Sequence, residues 1–339
     1  MKRLAITLGG AGAEPAAFVR LAQEAEQAGF AVVGAGDAAD DSIALLGAIS
    51  QVTQRVGLRT SVALLGRSPA QLALAAATLQ RLSGGRFRLG IGPGSQQRNE
   101  GWHGIPYQRM VGRTEEYLRT VRAALAASPA APAQTSGRFY QLDRFTTGRP
   151  PLPVAVDLAA NGPRMVQLAG MLADAVLVDQ PGPPAVVFAR VAPLVRQGEV
   201  AAGRPAGSVE LSIAVRVAIS RDRAEAIAAA RADLCYHLAF PYNRALLATL
   251  GYLEEAERLE HAATRGTLGQ AVARLPDAAV EQLSLCGTAE EVRAGIGRWF
   301  DYFSEVRVNP PTWYQPASDL VARYRTVIAT FADLATSPH

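Results

Sequence analysis

The chain has 339 residues, of which 49% are hydrophobic and 19% charged, with a formal net charge of +4. This is the composition of a globular protein, long enough for one large α/β barrel or two smaller domains. The small positive excess, with arginines scattered singly, does not indicate a nucleic-acid surface, and no apolar run is long enough to span a bilayer. We therefore expect neither a nucleic-acid nor a membrane partner.

Cysteine and histidine usage gives no sign of a metal site. Cys235 and Cys286 lie far apart, and none of the four histidines pairs at H-x-x-x-H spacing, so no zinc site and no bound metal are expected. The N-terminal sequence enters a strand rather than a signal-peptide core, and two separate thiols suit a reducing compartment. We therefore predict a cytoplasmic protein.

Short apolar, β-branched segments alternate with longer helical patterns along nearly the whole chain, which is typical of βαβ units. The eight predicted strands are roughly Arg3–Thr7, Ala31–Ala35, Gly57–Leu64, Arg86–Ile91, Val154–Leu158, Ala175–Asp179, Glu210–Ser220 and Glu305–Val308. Eight strand–helix units over this length predict an α/β fold of the (β/α)8 TIM-barrel class. A doubly wound open sheet is the alternative, because strand order is not visible in a sequence.

Several predicted helices have recognisable ends. One begins near Pro15, another begins after the Ser68–Pro69 pair, and Thr288 opens a capping box with the sequence T-A-E-E. Three segments do not fit a regular barrel and are predicted insertions: an irregular loop at 92–111, a Pro- and Gly-rich surface excursion at 129–153, and a mostly helical region at 236–284. No linker divides the chain, so we predict a single domain over residues 1–339.

A glycine-rich loop follows the fourth predicted strand, with glycines at 90, 92 and 94. Such a loop lets a phosphate- or flavin-sized ligand approach the backbone. It lacks the final glycine of a G-x-G-x-x-G fingerprint, so the motif alone is weak evidence. Active groups of a barrel lie at the carboxyl ends of its strands. The residues at those predicted ends are Gly9–Gly10, Asp37, 64–68, 92–97, 160–163, Asp179–Gln180 and Asn309.

Four segments taken in chain order resemble the bacterial luciferase-like superfamily of flavin-dependent oxidoreductases. They are TSVALLGRSPAQLALAAATL, ATLQRLSGGRFRLGIGPG, PLPVAVDLAANGPRMVQLAGMLADAVLVDQ and CGTAEEVRAGIGRWF, and together they span most of the chain. The resemblance implies a luciferase-like TIM barrel that binds either FMN or the 5-deazaflavin coenzyme F-420. The sequence IGPG and the pair Gly162–Pro163 are most similar to the deazaflavin-dependent reductases, such as methylenetetrahydromethanopterin reductase.

The resemblance also implies a set of cofactor-binding residues. They are Asp37, Ser61, Val62, Gly92, Pro93, Gly94, Ser95, Ala160, Asn161, Gly162 and Pro163. Relatives carry a non-proline cis peptide on the third strand, so we predict a cis bond between Ser61 and Val62; an ordinary strand of small residues is the alternative. The start of the helix at Gly162–Pro163 would offer backbone N–H groups to a phosphate.

The chain departs from the reductase pattern where a proton would be transferred. Relatives have an Asp-His pair at the end of strand two, whereas here Asp37 is followed by Ala38, and Ser95 replaces a frequent acidic residue. We name Asp37 and His103 as candidate catalytic residues. Asp37 could hydrogen-bond the cofactor ring or simply cap its loop, and the candidate replacement proton donors are His103, Glu14, Glu100 and Tyr107. His103 is the best by chemistry because imidazole titrates near neutral pH.

The aromatic residues Trp102, Tyr107 and Trp313 are candidate substrate contacts, with core or dimer interface as the alternative. Arg67, Arg98 and Arg113 are candidate anchors for an anionic tail, with plain surface arginines as the alternative.

These observations predict a deazaflavin-dependent reductase that transfers hydride to a C=C or C=N bond of a small or peptide-like biosynthetic substrate. An FMN-dependent monooxygenase working with a separate flavin reductase is the alternative. A non-catalytic flavin-binding barrel is the second alternative. Relatives are usually dimers, so we expect a homodimer.

Overall fold

A computed structural model describes residues 2–272, 275–332 and 334. The strands are β1 (Arg3–Leu8), β2 (Val32–Ala35), β3 (Gly57–Thr60), β4 (Ala63–Leu64), β5 (Phe87–Gly92), β6 (Ala133–Ser136), β7 (Gln141–Phe145), β8 (Ala155–Ala159), β9 (Ala175–Val178), β10 (Glu210–Ile219), β11 (Leu285–Gly287) and β12 (Glu305–Asn309). The helices are α1 (Pro15–Gln27), α2 (Ser42–Val52), α3 (Pro69–Leu82), α4 (Gln96–His103), α5 (Met110–Ala126), α6 (Pro163–Leu172), α7 (Pro184–Ala201), α8 (Arg223–Leu238), α9 (Arg244–Thr249), α10 (Leu253–Thr264), α11 (Leu268–Ala271), α12 (Asp277–Leu283), α13 (Ala289–Gly295), α14 (Gly297–Phe300) and α15 (Leu320–Phe331).

The chain divides into two compact units. The first unit comprises Met1–Ala31, Val178–Pro193 and Leu211–His339, and the second unit comprises Val32–Leu177 and Leu194–Glu210. The single-domain organisation remains a prediction.

The second unit is built on parallel strands in the order β2, β3, β5, β8, β9. The register pairs Ala35 with Thr60, and Ile91 with Leu158. These strands read as nearly continuous apolar runs because they are buried on both faces. A buried polar group lies among them: both carboxylate oxygens of Asp157 accept hydrogen bonds from Arg88.

The first unit contains the parallel strands β11, β10, β12 and β1 in that order. Ser212 is paired with Glu305 in register, and Ser212 Oγ donates a hydrogen bond to the buried Glu305 carboxylate. Helices α1 and α15 pack through an edge-to-face contact between Phe18 and Tyr324. The mostly helical region that the sequence predicts between strands seven and eight is confirmed as α8 to α12.

The parallel strands follow chain order as β1, β2, β3, β5, β8 and β9, and β10 and β12 complete the series, while β6 and β7 form a separate two-stranded sheet. This is the strand order of a (β/α)8 barrel, so the predicted fold class is confirmed. The capping box at Thr288 is also confirmed: its side chain accepts from the Glu291 N–H, and the Glu291 carboxylate accepts from the Thr288 N–H.

The structure corrects the sequence prediction in three places. The third strand is not continuous: β3 and β4 are separated by Ser61 and Val62. The segment 92–111 is not wholly irregular, because α4 forms there, capped by Ser95 and ended by Gly104 in the left-handed region. The excursion at 129–153 contains an antiparallel hairpin of β6 and β7.

Within the described residues, no helix combines the length and the apolar character needed to cross a membrane. In the same part of the chain, no group of His, Cys, Asp or Glu side chains is arranged to hold a metal ion.

Candidate active site

The peptide bond between Ser61 and Val62 is cis, which confirms the prediction made from the sequence. The neighbouring strand ends approach this bond closely at three glycines. A Cβ atom placed on Gly36 would lie 2.6 Å from Ser61 O, one on Gly90 2.0 Å from Thr60 O, and one on Gly92 2.2 Å from Val62 Cγ2. Glycine is therefore required at positions 90 and 92 by contacts inside the sheet. The sequence analysis attributes these two glycines to ligand access instead.

The segment around this bond is held by backbone hydrogen bonds to the end of β2. The Ser61 N–H donates to Ala35 O at 2.6 Å, and the Asp37 N–H donates to Val62 O at 3.0 Å. Ser61 Oγ is buried, and among the residues that the structure describes it has no hydrogen-bond partner. A buried hydroxyl without a partner is uncommon in proteins, so Ser61 is suited to bind a polar atom of a ligand.

The loop from Gly92 to Ser95 is fixed by one buried side chain. The amide nitrogen of Asn99 donates to Pro93 O at 2.7 Å and to Ser95 O at 2.9 Å. Ser95 Oγ caps α4 by accepting from the Arg98 N–H at 3.3 Å, which leaves the hydroxyl proton available to donate. These hydrogen bonds tie the loop to the first turn of α4.

A second loop follows the neighbouring strand β8 and leads into α6. Gly162 is the N-cap residue, no side chain caps the helix, and a Cβ on Gly162 would meet no atom within 4 Å. Because Ile91 pairs with Leu158, the loops after β5 and β8 leave the same edge of the sheet side by side. Uncapped N–H groups at a helix N-terminus with open space beside them favour an anionic group such as a phosphate.

The carboxylate of Asp37 is fully engaged with protein groups. Oδ1 accepts from Ser42 Oγ at 2.7 Å and from Arg67 Nη2 at 3.1 Å, and Oδ2 accepts from the Leu64 N–H at 3.0 Å. Burial by itself would raise the pKa of Asp37, but the hydrogen bonds from Arg67, Ser42 and Leu64 outweigh burial and lower it. Asp37 is therefore ionised at neutral pH and would act as a hydrogen-bond acceptor; its catalytic and cofactor-binding roles stay predictions.

A pocket of about 380 Å³ lies beside this carboxylate. Its lining residues are Asp37, Ala38, Ala39, Asp40, Asp41, Leu64, Arg67, Trp102 and His103. The His103 ring covers Gly66, where a Cβ would lie 2.3 Å from the imidazole. Arg98 stacks over Trp102 at 5.0 Å and donates to Asp37 O at 2.8 Å. The structure thus brings His103 and Trp102 into one pocket with Ala38, where the reductase pattern has a histidine.

The other predicted residues lie elsewhere. Tyr107 is half-exposed, does not line this pocket, and its N–H donates to Glu100. Trp313 belongs to the first unit, where it stacks on Tyr236 with ring centroids 3.5 Å apart. Glu14, at the start of α1, also belongs to the first unit.

All three arginines proposed as anion anchors have protein partners, and those of Arg98 are the Asp37 carbonyl and the Trp102 ring described above. Arg67 is bound by the carboxylates of Asp37 and Asp41, and Arg113 stacks over Phe139 at 4.3 Å in the hairpin turn. Sequence reasoning missed Asn99 as the residue that fixes the Gly92–Ser95 loop. The only signal was its position four residues after a helix-capping serine.

Comparisons with known proteins agree with this fold. The chain is 29% identical over 327 residues to a protein of Mycobacterium tuberculosis named as a coenzyme F-420-dependent oxidoreductase, covering 88% of this chain and 91% of the relative. The structure resembles the coenzyme F-420-dependent tetrahydromethanopterin reductase of Methanopyrus kandleri with a TM-score of 0.80, 21% identity, and coverage of 96% and 97% of the two chains. It also resembles an F-420-dependent secondary alcohol dehydrogenase solved with an F-420–acetone adduct, with a TM-score of 0.78, 19% identity, and coverage of 98% and 99%.

These likenesses to solved structures show the fold. The family model described as luciferase-like monooxygenase matches residues 3–303, which is most of the chain. The chain therefore belongs to the luciferase-like monooxygenase family.

Proposed function

We propose that this chain is a coenzyme F-420-dependent oxidoreductase that transfers hydride between the deazaflavin and an unsaturated bond of an organic substrate. The observation that carries the proposal is the pair of loops after β5 and β8. They leave neighbouring strands, and each leads directly into a helix N-terminus. The match to the mycobacterial relative covers 88% of this chain, and the name of that relative supports the same cofactor.

The residues around these loops fit an anionic cofactor with a flat ring system. The N-terminus of α6, which has no side-chain cap and has open space at Gly162, would hold a phosphate. The free hydroxyl proton of Ser95 would donate to the same cofactor, and Ser61 Oγ would bind a polar atom of its ring system. When bound, coenzyme F-420 supplies or accepts the hydride.

The protein's part in proton transfer falls to His103 in this proposal. Asp37 stays ionised and holds the start of α2, β4 and Arg67 together, so it positions the pocket rather than donating a proton. His103 lines the same pocket as Ala38, and an imidazole has one ring nitrogen that can donate a proton and one that can accept it. Trp102, which also lines the pocket, would contact the substrate.

FMN is the alternative cofactor, because its phosphate would suit the same helix N-terminus and the family model is described as a monooxygenase. In that case the chain would act on substrate with reduced FMN delivered by a separate reductase. A barrel that binds a flavin without catalysis would use the same loops.

Calorimetric titration of the purified protein with coenzyme F-420 and with FMN separates these cases. The proposal predicts that F-420 binds at least about tenfold more tightly than FMN. Ser61→Ala should weaken F-420 binding by about threefold to tenfold through loss of one hydrogen bond, whereas Ser136→Ala, at an exposed position of β6, should not change it. Submicromolar FMN binding without F-420 binding contradicts the proposal.

A turnover assay then tests catalysis. Reduced F-420 is mixed with a panel of enones, imines and ketones, and its oxidation is followed by absorbance. Turnover of any panel compound supports the reductase proposal, whereas F-420 binding without turnover across the panel favours the non-catalytic barrel.

A further inference from the structure

Asp179 lies at a predicted strand end, and the function proposed above does not use it. It follows β9 directly, in the first unit of the chain. Arg216 lies near the end of β10 and pairs in register with Asn309, the last residue of β12. Both side chains therefore belong to the carboxyl ends of the barrel strands, where barrel enzymes carry their specificity and catalytic groups.

Four charged or polar side chains form one connected cluster at this place. Arg216 Nη2 donates to both carboxylate oxygens of Asp179 at 2.6 Å. The same Nη2 lies 3.2 Å from Nδ1 of His237, which comes from α8. Asp233, one helical turn earlier on α8, lies 3.5 Å from His237 Nε2 and 3.8 Å from Arg216 Nε.

The cluster is anchored at one end and open at the other. Asp233 is fully buried, and its Oδ1 accepts the N–H groups of Thr312 and Trp313 after β12. The side chains of Arg216 and His237 are only 9% and 10% exposed, whereas that of Asp179 is 33% exposed. Asp179 is therefore the member of the cluster that presents its carboxylate to the outside.

The charge state of the cluster follows from its contacts. Burial by itself would raise the pKa of Asp179, but the interactions with Arg216, His237 and Arg307 outweigh burial and lower it to about 2. Burial and Arg216 lower the pKa of His237, so the imidazole is neutral at neutral pH. Because a guanidinium can only donate, Nδ1 of His237 accepts and Nε2 carries the proton. The guanidinium of Arg216 thus lies against both carboxylates, Asp179 and Asp233, and Arg307 adds a further positive charge that acts on Asp179.

We propose that Asp179 is a substrate-binding carboxylate that accepts a hydrogen bond from a neutral hydroxyl or N–H group of the substrate, and that Arg216 and His237 position it. An ionised carboxylate is a strong acceptor for such a donor. Arg216 binds both oxygens of the Asp179 carboxylate, so this pair carries no net charge and does not favour a cation. The proposal rests on the oxidoreductase function proposed above, because it assigns the chemical class of that enzyme's substrate.

The test uses two ring compounds of similar size, cyclohexanol and cyclohexanone, of which only the alcohol has an O–H donor. Binding to the cofactor-free protein is followed through the imidazole resonance of His237, assigned with a His237→Asn variant among the four histidines of the chain. The wild type should bind cyclohexanol about tenfold more tightly than cyclohexanone, with a saturable shift of the His237 signal. Asp179→Asn should reduce this preference to less than about twofold.

Asp301→Asn is the matched control, because the Asp301 side chain is 68% exposed and its Oδ1 lies 4.0 Å from Lys2 Nζ. It should leave the alcohol preference unchanged. Equal affinity of the wild type for the two compounds, no saturable shift with either, or an unchanged preference in Asp179→Asn overturns the proposal. The wild-type comparison decides even if Asp179→Asn does not fold. Since no cofactor is present, this result is independent of whether F-420 binds.

Discussion

The carboxylate of Asp37 is the best-defined electrostatic feature of the candidate site, and Asp37→Asn tests it directly. The substitution keeps the shape of the side chain but replaces one acceptor oxygen with an NH₂ donor. If the NH₂ group takes the place of Oδ1, Arg67 and Ser42 lose their acceptor. If it takes the place of Oδ2, Arg67 and the Leu64 N–H lose theirs. The guanidinium of Arg67 also loses a charged partner whose side chain is only 13% exposed.

The expected cost follows from these contacts. A hydrogen bond to a charged group contributes about 1.5–3 kcal/mol, and an unsatisfied donor adds to the loss, so we expect Asp37→Asn to destabilise the fold by about 3 kcal/mol. For a chain of 339 residues this corresponds to a fall in Tm of about 4 °C. Asp41→Asn makes the same change on the other carboxylate that Arg67 contacts. Because Asp41 is half-exposed and Asn also caps helices, its cost should be below about 1 kcal/mol.

The pH dependence supplies a second check by calorimetry or thermal melts. The pKa of Asp37 is lowered in the folded state, so its stabilising contribution is present above its unfolded pKa of about 3.9 and is lost as pH falls through the folded value. The stability difference between wild type and Asp37→Asn should therefore be constant from pH 5 to 8 and shrink in more acidic solution. A cost equal to that of Asp41→Asn, or a difference that varies between pH 5 and 8, would refute this reasoning.

Three further predictions concern single residues of the second unit. Gly90→Ala should destabilise the fold by about 3 kcal/mol or prevent folding, because the new methyl group would lie 2.0 Å from Thr60 O. The control Gly47→Ala places a methyl group in open space on α2 and should be neutral or stabilising by up to about 1 kcal/mol. Thermal melts compare the two, and equal effects would contradict the steric argument. Glu116→Ala removes the acceptor for three N–H groups in the turn of the β6–β7 hairpin, so limited proteolysis should cut this turn at least about tenfold faster, and an unchanged rate would count against the assigned role. His103→Gln should lower kcat by about 10²-fold or more with little change in F-420 affinity, measured by steady-state kinetics and calorimetry; an unchanged kcat would exclude His103 as the proton donor.

The strands and the cis peptide could be predicted from the sequence for different reasons. The strands are apolar runs, and such a pattern can be recognised locally in the sequence. The cis bond between Ser61 and Val62 is predicted from the resemblance to a family. Helix α4 was missed because QQRNEGWH has no apolar stripe; it exists through the Ser95 cap and the Gly104 end.

The partners of the site residues could not be predicted in the same way. Arg67 and Asp37 are 30 positions apart, and only the folded strands bring them together. The same holds for Asp179, whose place at a strand end was predicted but whose partners Arg216 and His237 come from distant segments. Long-range side-chain pairing has no periodic signal in a single sequence.

A crystal structure of the protein with bound coenzyme F-420 tests the central claim most directly. Our account predicts that the deazaflavin lies across the loop from Gly92 to Ser95, with a polar ring atom within hydrogen-bond distance of Ser61 Oγ and a phosphate at the first turn of α6. A cofactor bound elsewhere, or a phosphate held away from the α6 N-terminus, would contradict the account.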